Sequence, residues 1–318
     1  MHYIGIDLGG TYIKLGIVDE FGKIKRENTI ETKRKRHFSE IIKDILVCLT
    51  HESFVGDLKH ESIGWIGIGT TGVVDNQRGI VSYSCNVMFD NFPIKEEIQK
   101  CINKPVFFEN DANCAAFGEF ICGGAQNTGS SVTITLGTGI GGGMIINGKI
   151  YSGLNGAALE IGHMIINPGG RLCTCGRRGC WETYSSATGL IRITKDKLEK
   201  NKNSLVWNMC NKNLENMDAA MIFEAAKLHD DIAQKIVELY IRYLGDGITN
   251  IVNIFQPEKL IISGGISKQG EYLLKPLKKY VDENKYTRSC DVRQTELSIS
   301  CLREKAAIVG AAFLGKQN

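Results

Sequence analysis

The pattern of apolar and polar positions repeats in two places along the chain. Residues 3–18 read as an apolar strand, a glycine turn and a second apolar strand. The same order returns over residues 131–146, and Asn147-Gly148 then makes a further hairpin turn. Strands joined by tight glycine-containing turns are typical of antiparallel hairpins. The sequence therefore predicts one hairpin unit used twice, in two similar domains.

Between and after these hairpins, helices alternate with short apolar strands. Helical spacing of apolar residues covers residues 37–49, 92–100, 112–120, 185–199, 218–229, 230–255, 269–283 and 304–314. Buried strands are predicted at residues 62–69, 106–108, 260–263 and 297–301. This alternation predicts an α/β fold. We expect the last helix, which is rich in alanine, to return to the N-terminal domain.

Composition is that of an ordinary globular protein. The 318 residues exceed one comfortable core, so two domains are expected, and the formal charge of +3 is too small to indicate a nucleic-acid or membrane partner. The basic run at residues 33–37 lacks interleaved aromatic residues and is interpreted as a solvated loop. No apolar run approaches the roughly 18 residues of a membrane span, and no export signal precedes the first strand. We therefore expect a cytoplasmic protein whose eleven cysteines are reduced where no metal holds them.

Four possible metal ligands lie close together in one loop. His163 is followed by Cys173, Cys175 and Cys180 among glycines and a proline. Imidazole nitrogen and thiolate sulfur are ligands that zinc prefers, and a structural zinc site uses all four positions. Free cysteine is also a common core residue, but this turn-forming segment offers little apolar burial. The spacing therefore favours a zinc ion that braces the loop.

A first glycine-rich turn could bind phosphate. Asp7 ends a strand and is followed by Gly9, Gly10 and Thr11. Glycines let phosphate oxygens approach backbone N–H groups, and Asp7 could hold Mg²⁺ directly or through water. Taken alone, the motif is better explained by a hairpin turn in which Asp7 accepts hydrogen bonds from nearby amides.

A second glycine-rich segment, residues 137–143, makes a stronger case. So many glycines in a strand context indicate a close approach of a ligand to the backbone. The segment also matches G-x-G-x-x-G, with Glu160 near the distance expected of a ribose-binding acid. A dinucleotide-binding fold needs a helix directly after the glycines, whereas residues 144–150 read as a hairpin. The Rossmann interpretation is therefore rejected, because the required helix does not follow the glycines.

Asp111 is the best candidate for a catalytic base. It lies between a predicted strand and a predicted helix, directly after Asn110. Phosphoryl transfer needs a carboxylate that orients the attacking hydroxyl and takes its proton, and the Asn110 amide could contact sugar hydroxyls. Both residue types are also preferred helix N-caps, which locally is the simpler interpretation. The surrounding motifs favour the catalytic one.

Together these motifs resemble one family along the whole chain. The segments that carry the resemblance are Asp7-Leu8-Gly9-Gly10-Thr11, Glu109-Asn110-Asp111-Ala112-Asn113, Leu136 to Gly143, Glu160-x-x-His163, Cys173-x-Cys175-Gly176-x-x-Gly179-Cys180-x-Glu182 and Ile262-Ser263-Gly264-Gly265. Their order and spacing are similar to those of the ROK sugar kinases, in particular the bacterial glucokinases.

The resemblance implies a two-domain α/β fold of the actin-like ATPase and hexokinase type, which is ribonuclease H-like. It implies a small N-terminal domain at residues 1–116, with the C-terminal segment 302–318 packing back on it. A large domain that carries the zinc loop would cover residues 117–301. The implied partners are a hexose and ATP with Mg²⁺, bound between the domains, and the relatives are usually homodimers.

The resemblance also implies a role for each candidate residue. Asp111 would be the base for the sugar 6-hydroxyl, in an ATP-dependent phosphorylation of glucose. The other sugar contacts would come from Gly72, Asn86, Asn110, Glu160, His163 and Glu182. The nucleotide would contact Asp7, Gly9, Gly10, Thr11, Lys14, Gly137, Thr138, Gly139, Gly264 and Gly265. One ring nitrogen of His163 would bind zinc while the other faces the sugar.

Two segments beside the expected sugar site depart from the family pattern. Thr71 stands where the family commonly has proline, and the loop around Asn86 lacks the usual Asn-Leu pair. N-acetylmannosamine, fructose, allose and a β-glucoside are therefore alternative substrates. A sugar-responsive regulator of the same family is disfavoured, because the six residues before Asp7 leave no room for a helix-turn-helix.

Overall fold

The computed structural model describes residues 1–33, 36–56, 60–83, 91–199 and 201–317. The strands are β1 (His2–Leu8), β2 (Tyr12–Asp19), β3 (Ile24–Glu31), β4 (Ile63–Thr70), β5 (Val73–Asp75), β6 (Ile80–Tyr83), β7 (Val106–Asn110), β8 (Ser130–Leu136), β9 (Ile140–Ile146), β10 (Lys149–Ile150), β11 (Lys259–Ser263) and β12 (Glu296–Ile299). The helices are α1 (Phe38–Thr50), α2 (Glu52–Val55), α3 (Ile94–Cys101), α4 (Asp111–Cys122), α5 (Glu182–Ser185), α6 (Ala187–Leu198), α7 (Leu205–Met209), α8 (Ala219–Lys227), α9 (Asp231–Phe255), α10 (Glu271–Asn284) and α11 (Ala306–Phe313).

The α/β class predicted from the sequence is confirmed, and the long periodic segments form helices close to their predicted bounds. The helix predicted over residues 185–199 is α6, and a break separates it from the short helix α5 that precedes it. The break occurs at Ser186, whose backbone is extended and whose hydroxyl accepts a hydrogen bond from Gly189 N–H (3.0 Å). Serine is a preferred N-cap residue, so α6 begins afresh there.

The chain folds into two compact units. Unit 1 comprises Met1–Thr133, Gly142–Leu159 and Ser300–Asn318, and unit 2 comprises Ile134–Gly141 and Glu160–Ile299. The division expected near residue 116 falls inside α4, all of which belongs to unit 1. The C-terminal segment also belongs to unit 1.

The sheet of unit 1 has the strand order β3-β2-β1-β4-β7. β1 to β3 form an antiparallel meander, whereas β4 pairs in parallel with both β1 and β7. In this register Asp7 lies opposite Gly69, and Gly69 lies opposite Glu109. Since parallel strands end at the same edge of a sheet, the carboxyl ends of β1, β4 and β7 lie side by side.

Alternation along β1 divides the core of unit 1 into two layers. Ile4, Ile6 and Leu8 are fully buried in a cluster with residues of α1 and α3. Tyr3, on the other face, belongs to a second cluster with α4 and α11. Successive side chains of a strand point to opposite faces, so the sheet lies between two helical layers.

The C-terminal helix α11 approaches the sheet and α4 closely because glycines line the contact. A Cβ at Gly5 would overlap the backbone oxygen of Ile308, and one at Gly67 would overlap that of Ala311. In the same way, a Cβ at Gly310 would overlap the backbone of Cys114 in α4. Glycine is therefore required at these three positions by helix-to-backbone contact.

A second sheet has the strand order β10-β9-β8-β11-β12, and the boundaries of the units fall inside β8 and β9. In unit 2 the long helix α9 supports the segment around α5. The fully buried Trp181 donates its indole N–H to the Tyr243 carbonyl (2.8 Å), and Tyr240 donates its hydroxyl to the Ser185 carbonyl (2.8 Å). Buried indole and phenol groups usually find such partners.

The structure bears on two expectations about the surface, namely those for a membrane span and for the basic run. No helix within the described parts of the chain is both long and apolar enough to cross a membrane. In the basic run, Arg34 and Lys35 lie outside the described residues, and Arg36 pairs with Asp44 (2.5 Å).

We predict that Gly310→Ala destabilises unit 1. Alanine normally favours a helix over glycine by about 1 kcal/mol, but here its methyl group would overlap the backbone of α4. Overpacking of this kind costs about 1–3 kcal/mol, so the melting temperature should fall by several degrees. Thermal unfolding followed by circular dichroism checks this, and an unchanged or raised melting temperature would contradict the close packing.

Candidate active site

Asp7 and Asp111 lie at one edge of the unit 1 sheet. The β1–β4–β7 register places Asp7 at the end of β1, and Asp111 directly follows β7 as the first residue of α4. A Cβ at Gly69, between the two strands, would be 3.4 Å from the Cα of Asp111. The structure therefore brings together two carboxylates that are 104 residues apart in the sequence, as their residue numbers show.

Asn110 caps α4 and also anchors the loop at Gly72. Its side-chain oxygen accepts hydrogen bonds from the backbone N–H groups of Ala112 (2.9 Å) and Asn113 (3.2 Å). Its amide donates to the Gly72 carbonyl (3.1 Å). The helix-cap interpretation thus holds for Asn110, and one of its two amide hydrogens is already engaged.

The carboxyl group of Asp7 has an unusual affinity for its proton. Burial, with a smaller contribution from the neighbouring Asp111, raises the pKa of Asp7 from 3.8 to about 7, while Lys14 acts in the opposite direction. Lys14 lies opposite Asp7 in the β1–β2 register. A raised carboxyl pKa of this kind is common at functional sites.

The first glycine turn is held by a residue that sequence reasoning missed. Thr32 is fully buried; its hydroxyl donates to the Gly9 carbonyl (2.7 Å) and its N–H donates to the Thr11 carbonyl (2.9 Å). The Gly9 N–H in turn donates to the Tyr12 carbonyl (3.1 Å). A lone threonine at the end of β3 carries no local signal for this role.

In unit 2 the second glycine turn rests on the start of α6. The carbonyl of Gly137 accepts from the Ala187 N–H (2.9 Å), and the carbonyl of Thr138 accepts from the Thr188 hydroxyl (2.8 Å). Across the part of the chain that the structure describes, no atom lies within 4 Å of the position a Cβ would take at Gly137. The backbone at Gly137 is therefore open to a close approach.

The glycines at the end of β11 serve two different purposes. Gly264 has φ of +85°, and a Cβ there would overlap the backbone of Leu136. A Cβ at Gly265 would meet no atom of the described residues within 4 Å. Gly264 is thus required by packing on β8, whereas Gly265 is an open position of the backbone.

Gly139 makes room for a carboxylate. A Cβ at Gly139 would overlap the Glu182 side chain, whose Oε2 accepts a hydrogen bond from the Ile140 N–H (2.8 Å). Burial raises the pKa of Glu160, His163 lowers it and Glu182 raises it. His163 and Glu182 therefore both act electrostatically on Glu160 within unit 2.

The predicted metal ligands converge. The ligand atoms of His163, Cys173, Cys175 and Cys180 all lie within 4.8 Å of one another. His163 Nδ1 is 3.6 Å from Cys173 Sγ, and Cys175 Sγ is 3.7 Å from Cys180 Sγ. A tetrahedral zinc ion with Zn–S distances of about 2.3 Å separates its ligand atoms by about 3.8 Å. The four residues fit such an ion.

The thiols of this cluster differ in their proton affinity. Burial and then the neighbouring thiols raise the pKa of Cys180 to about 12. Burial acts in the same direction on Cys175, but the Arg177 backbone N–H and the neighbouring thiols lower its pKa overall. Because thiolates are the metal-binding form, the lowered pKa of Cys175 favours cation binding.

A model of the ROK family matches residues 3–318. The chain belongs to the ROK family. It is 36% identical to the glucokinase of Halalkalibacterium halodurans over 318 residues, which cover 99% of this chain and 95% of that one. It is also 36% identical to the glucokinase of Thermotoga maritima, covering 99% and 97% of the two chains.

Solved structures show the same family fold. A ROK glucokinase from Streptomyces griseus, in complex with glucose and AMPPNP, is 33% identical and superimposes with a TM-score of 0.88 over 100% of both chains. The ROK chain described here therefore has the actin-like ATPase, hexokinase-type α/β fold. The family and fold expected from its motifs are confirmed.

The candidate residues of this ROK protein divide between the two units. Unit 1 carries Asp7, Gly9, Gly10, Thr11, Lys14, Gly72, Asn110 and Asp111, and unit 2 carries Gly137, Thr138, Gly139, Glu160, His163, Glu182, Gly264 and Gly265. Asn86 lies outside the described residues. The role of each side chain toward a ligand stays a prediction.

We predict that Asp7→Asn changes how stability depends on pH. Since the folded-state pKa of Asp7 lies above the unfolded value of 3.8, its stabilising contribution is present below about pH 4 and is lost as the pH rises through about 7. Asparagine does not titrate, so the variant does not lose stability in this way. The unfolding free energy of the variant relative to that of wild type should therefore rise by roughly 1–4 kcal/mol from pH 4 to pH 8. Urea unfolding in buffer without divalent cations measures this, and parallel pH curves would contradict it.

Proposed function

We propose that this protein is an ATP-dependent hexokinase that phosphorylates the 6-hydroxyl of glucose. The observation that carries the proposal is the placement of Asp111 beside Asp7 at one sheet edge, in a ROK chain that matches bacterial glucokinases along its length. The related Streptomyces griseus enzyme holds glucose and an ATP analogue, which supports the same pair of substrates here.

In the proposed reaction Asp111 accepts the proton of the sugar hydroxyl while that oxygen attacks the γ-phosphorus. A new O–P bond forms as the bond between the γ-phosphorus and the ADP oxygen breaks, which yields the sugar 6-phosphate, ADP and a proton. Asn110 donates its second amide hydrogen to the sugar. The remaining sugar contacts come from Gly72, Asn86, Glu160, His163 and Glu182.

The nucleotide is proposed to bind at the backbone of the glycine segments. The glycine segments 9–11 and 137–139 contact the phosphate oxygens, and Gly264 and Gly265 lie against the adenosine. Lys14 adds positive charge beside Asp7. Mg²⁺, which Asp7 would hold, supplies charge neutralisation at the phosphates when it is bound with ATP.

The His163, Cys173, Cys175 and Cys180 cluster is proposed to hold a structural zinc ion. Its donor set and separations fit tetrahedral coordination, which leaves no open position for substrate. These residues would hold the ion so that it braces the loop between Glu160 and Glu182. His163 would bind it through Nδ1, the nitrogen that faces Cys173, which would leave the other ring nitrogen for the sugar.

We also propose that the protein is a homodimer. Large apolar side chains are exposed in unit 2 at Ile254 (65%), Tyr286 (84%) and Val292 (51%). The Tyr286 N–H donates to Asn253 Oδ1 (2.9 Å), which holds two of these exposed segments together. Exposed apolar patches are typical of protein interfaces, and sedimentation velocity measures the oligomeric state.

Asp111→Asn is expected to abolish most of the hexokinase activity. The asparagine keeps the size of the side chain but cannot accept the proton, and loss of a general base costs on the order of 10²–10⁴ in kcat. A coupled ADP-release assay with glucose, N-acetylmannosamine, fructose and allose measures both the activity and the preferred sugar. Asp44→Asn, which changes the exposed partner of Arg36, is the control. Turnover by Asp111→Asn at the wild-type rate would remove Asp111 from the mechanism.

Cys175→Ser is expected to lower zinc content and to raise the KM for glucose. The hydroxyl of serine is a poor zinc ligand, so the loop that carries the sugar contacts loses its brace. Elemental analysis and steady-state kinetics measure the two effects. Cys290→Ser changes an exposed cysteine outside the cluster and should alter neither. An unchanged KM in a zinc-free Cys175→Ser protein would overturn the bracing role.

A further inference from the structure

Glu109, the residue before Asn110, has a buried carboxylate that accepts four hydrogen bonds. The residue is 5% exposed. Its Oε1 accepts from the Asn110 backbone N–H (2.8 Å) and from the Asn113 amide (3.1 Å). Its Oε2 accepts from the Asn76 amide (3.0 Å) and from the Ser152 hydroxyl (3.3 Å). All five residues belong to unit 1.

These four contacts join three separate segments at one point. Asn113 lies in the first turn of α4, Asn76 lies in the turn between β5 and β6, and Ser152 follows β10. A carboxylate can only accept, while a backbone N–H can only donate. The Glu109 side chain therefore suits this position because its carboxylate accepts from all four donors as they stand, whereas a glutamine would require the Asn76 amide and the Ser152 hydroxyl to turn into acceptors.

Glu109 and Asn110 together fix the loop that follows β4. Asn110 donates to the Gly72 carbonyl (3.1 Å), and Glu109 accepts from Asn76 four residues later. Two consecutive residues thus hold residues 72–76 at two points. The same two residues also fix the backbone at the start of α4, whose first residue is Asp111.

We propose that Glu109 is a positioning residue for the phosphoryl transfer. It does not touch the sugar; it acts through Asn110, holding the Asp111 carboxylate and the Gly72 loop in one fixed geometry. This inference rests on the proposed hexokinase function. Misplacement of a catalytic group by about 1 Å can cost on the order of 10²-fold in rate, so the hydrogen bonds of Glu109 should be visible in the kinetics with sugar.

A matched control residue, Glu119, lies near the C-terminal end of α4. Glu119 is fully buried, and its carboxylate accepts from the Ser300 hydroxyl and from the N–H groups of Gly124 (2.8 Å) and Leu302 (3.1 Å). It stabilises backbone at the opposite end of the helix from Asp111. Glu109→Gln, in β7 just before α4, and Glu119→Gln, near the end of α4, therefore make the same chemical change with and without a path to the proposed site.

The first experiment compares these two variants by unfolding and by steady-state kinetics. Glu109→Gln turns an NH₂ group toward one pair of donors whichever way its amide rotates. We expect its kcat/KM for the sugar to fall on the order of 10²-fold, with the KM for ATP unchanged. Glu119→Gln should lower the melting temperature but leave the sugar kcat/KM near that of wild type.

The second experiment is a rescue by exchange of donor and acceptor. In the double variant Asn76→Asp with Glu109→Gln, the amide of the new glutamine can donate to the new carboxylate while its oxygen still accepts from Asn110 and Asn113. Asn76→Asp alone sets two carboxylates against each other and should lose sugar activity. Because Asn76 is exposed, this single variant is expected to fold even if Glu109→Gln does not. The double variant should recover most of the loss.

The outcomes separate the inference from the function on which it rests. A wild-type protein that phosphorylates no hexose would overturn both. Wild-type turnover together with unchanged sugar kinetics in Glu109→Gln, or in Asn76→Asp where that is the folded variant, would overturn the positioning role alone. The positioning role would also be overturned if Glu109→Gln and Glu119→Gln lost the same amount of activity and the kinetics with sugar and with ATP were impaired together. Glu109 would then have a structural role only.

Discussion

The parallel register of β1, β4 and β7 is the constraint on which the candidate site depends. It aligns Asp7, Gly69 and Glu109 across three strands, so that the residues just beyond them meet at one edge of the sheet. Parallel neighbours cannot be joined by a tight turn, and the chain accordingly uses long connections between them. Candidate site residues far apart in sequence become neighbours because the strands end together, a general property of sheets with parallel strands.

Close packing of α11 against one face of the sheet supports this strand register. Gly5, Gly67 and Gly310 remove the side chains that would otherwise separate α11 from the sheet and from α4. The helix that begins at Asp111 is thus held on its buried side by the last helix of the chain. Rigid support of this kind is what a site needs if catalytic groups are to stay within fractions of an ångström of their working positions.

The glycines of the second half divide into two classes that look alike in the sequence. Gly139 and Gly264 are required by contacts within the protein, with Glu182 and with Leu136 respectively. Gly137 and Gly265 have open space where a Cβ would be. Of these four candidate glycines, Gly137 and Gly265 carry no packing requirement among the described residues, which makes them the more informative positions for testing the proposed nucleotide contact.

The sequence by itself determined the α/β class, most helices, the family and the cluster of one histidine and three cysteines, because these depend on local periodicity or on close spacing. It did not determine the break at Ser186, the β5–β6 hairpin, the support that Thr32 gives to the first glycine turn, or the hydrogen bonds that converge on Glu109. Each of these depends on partners brought together by the tertiary fold. The same reason explains the raised pKa of Asp7: burial and a neighbouring carboxylate exist only once the strands have paired.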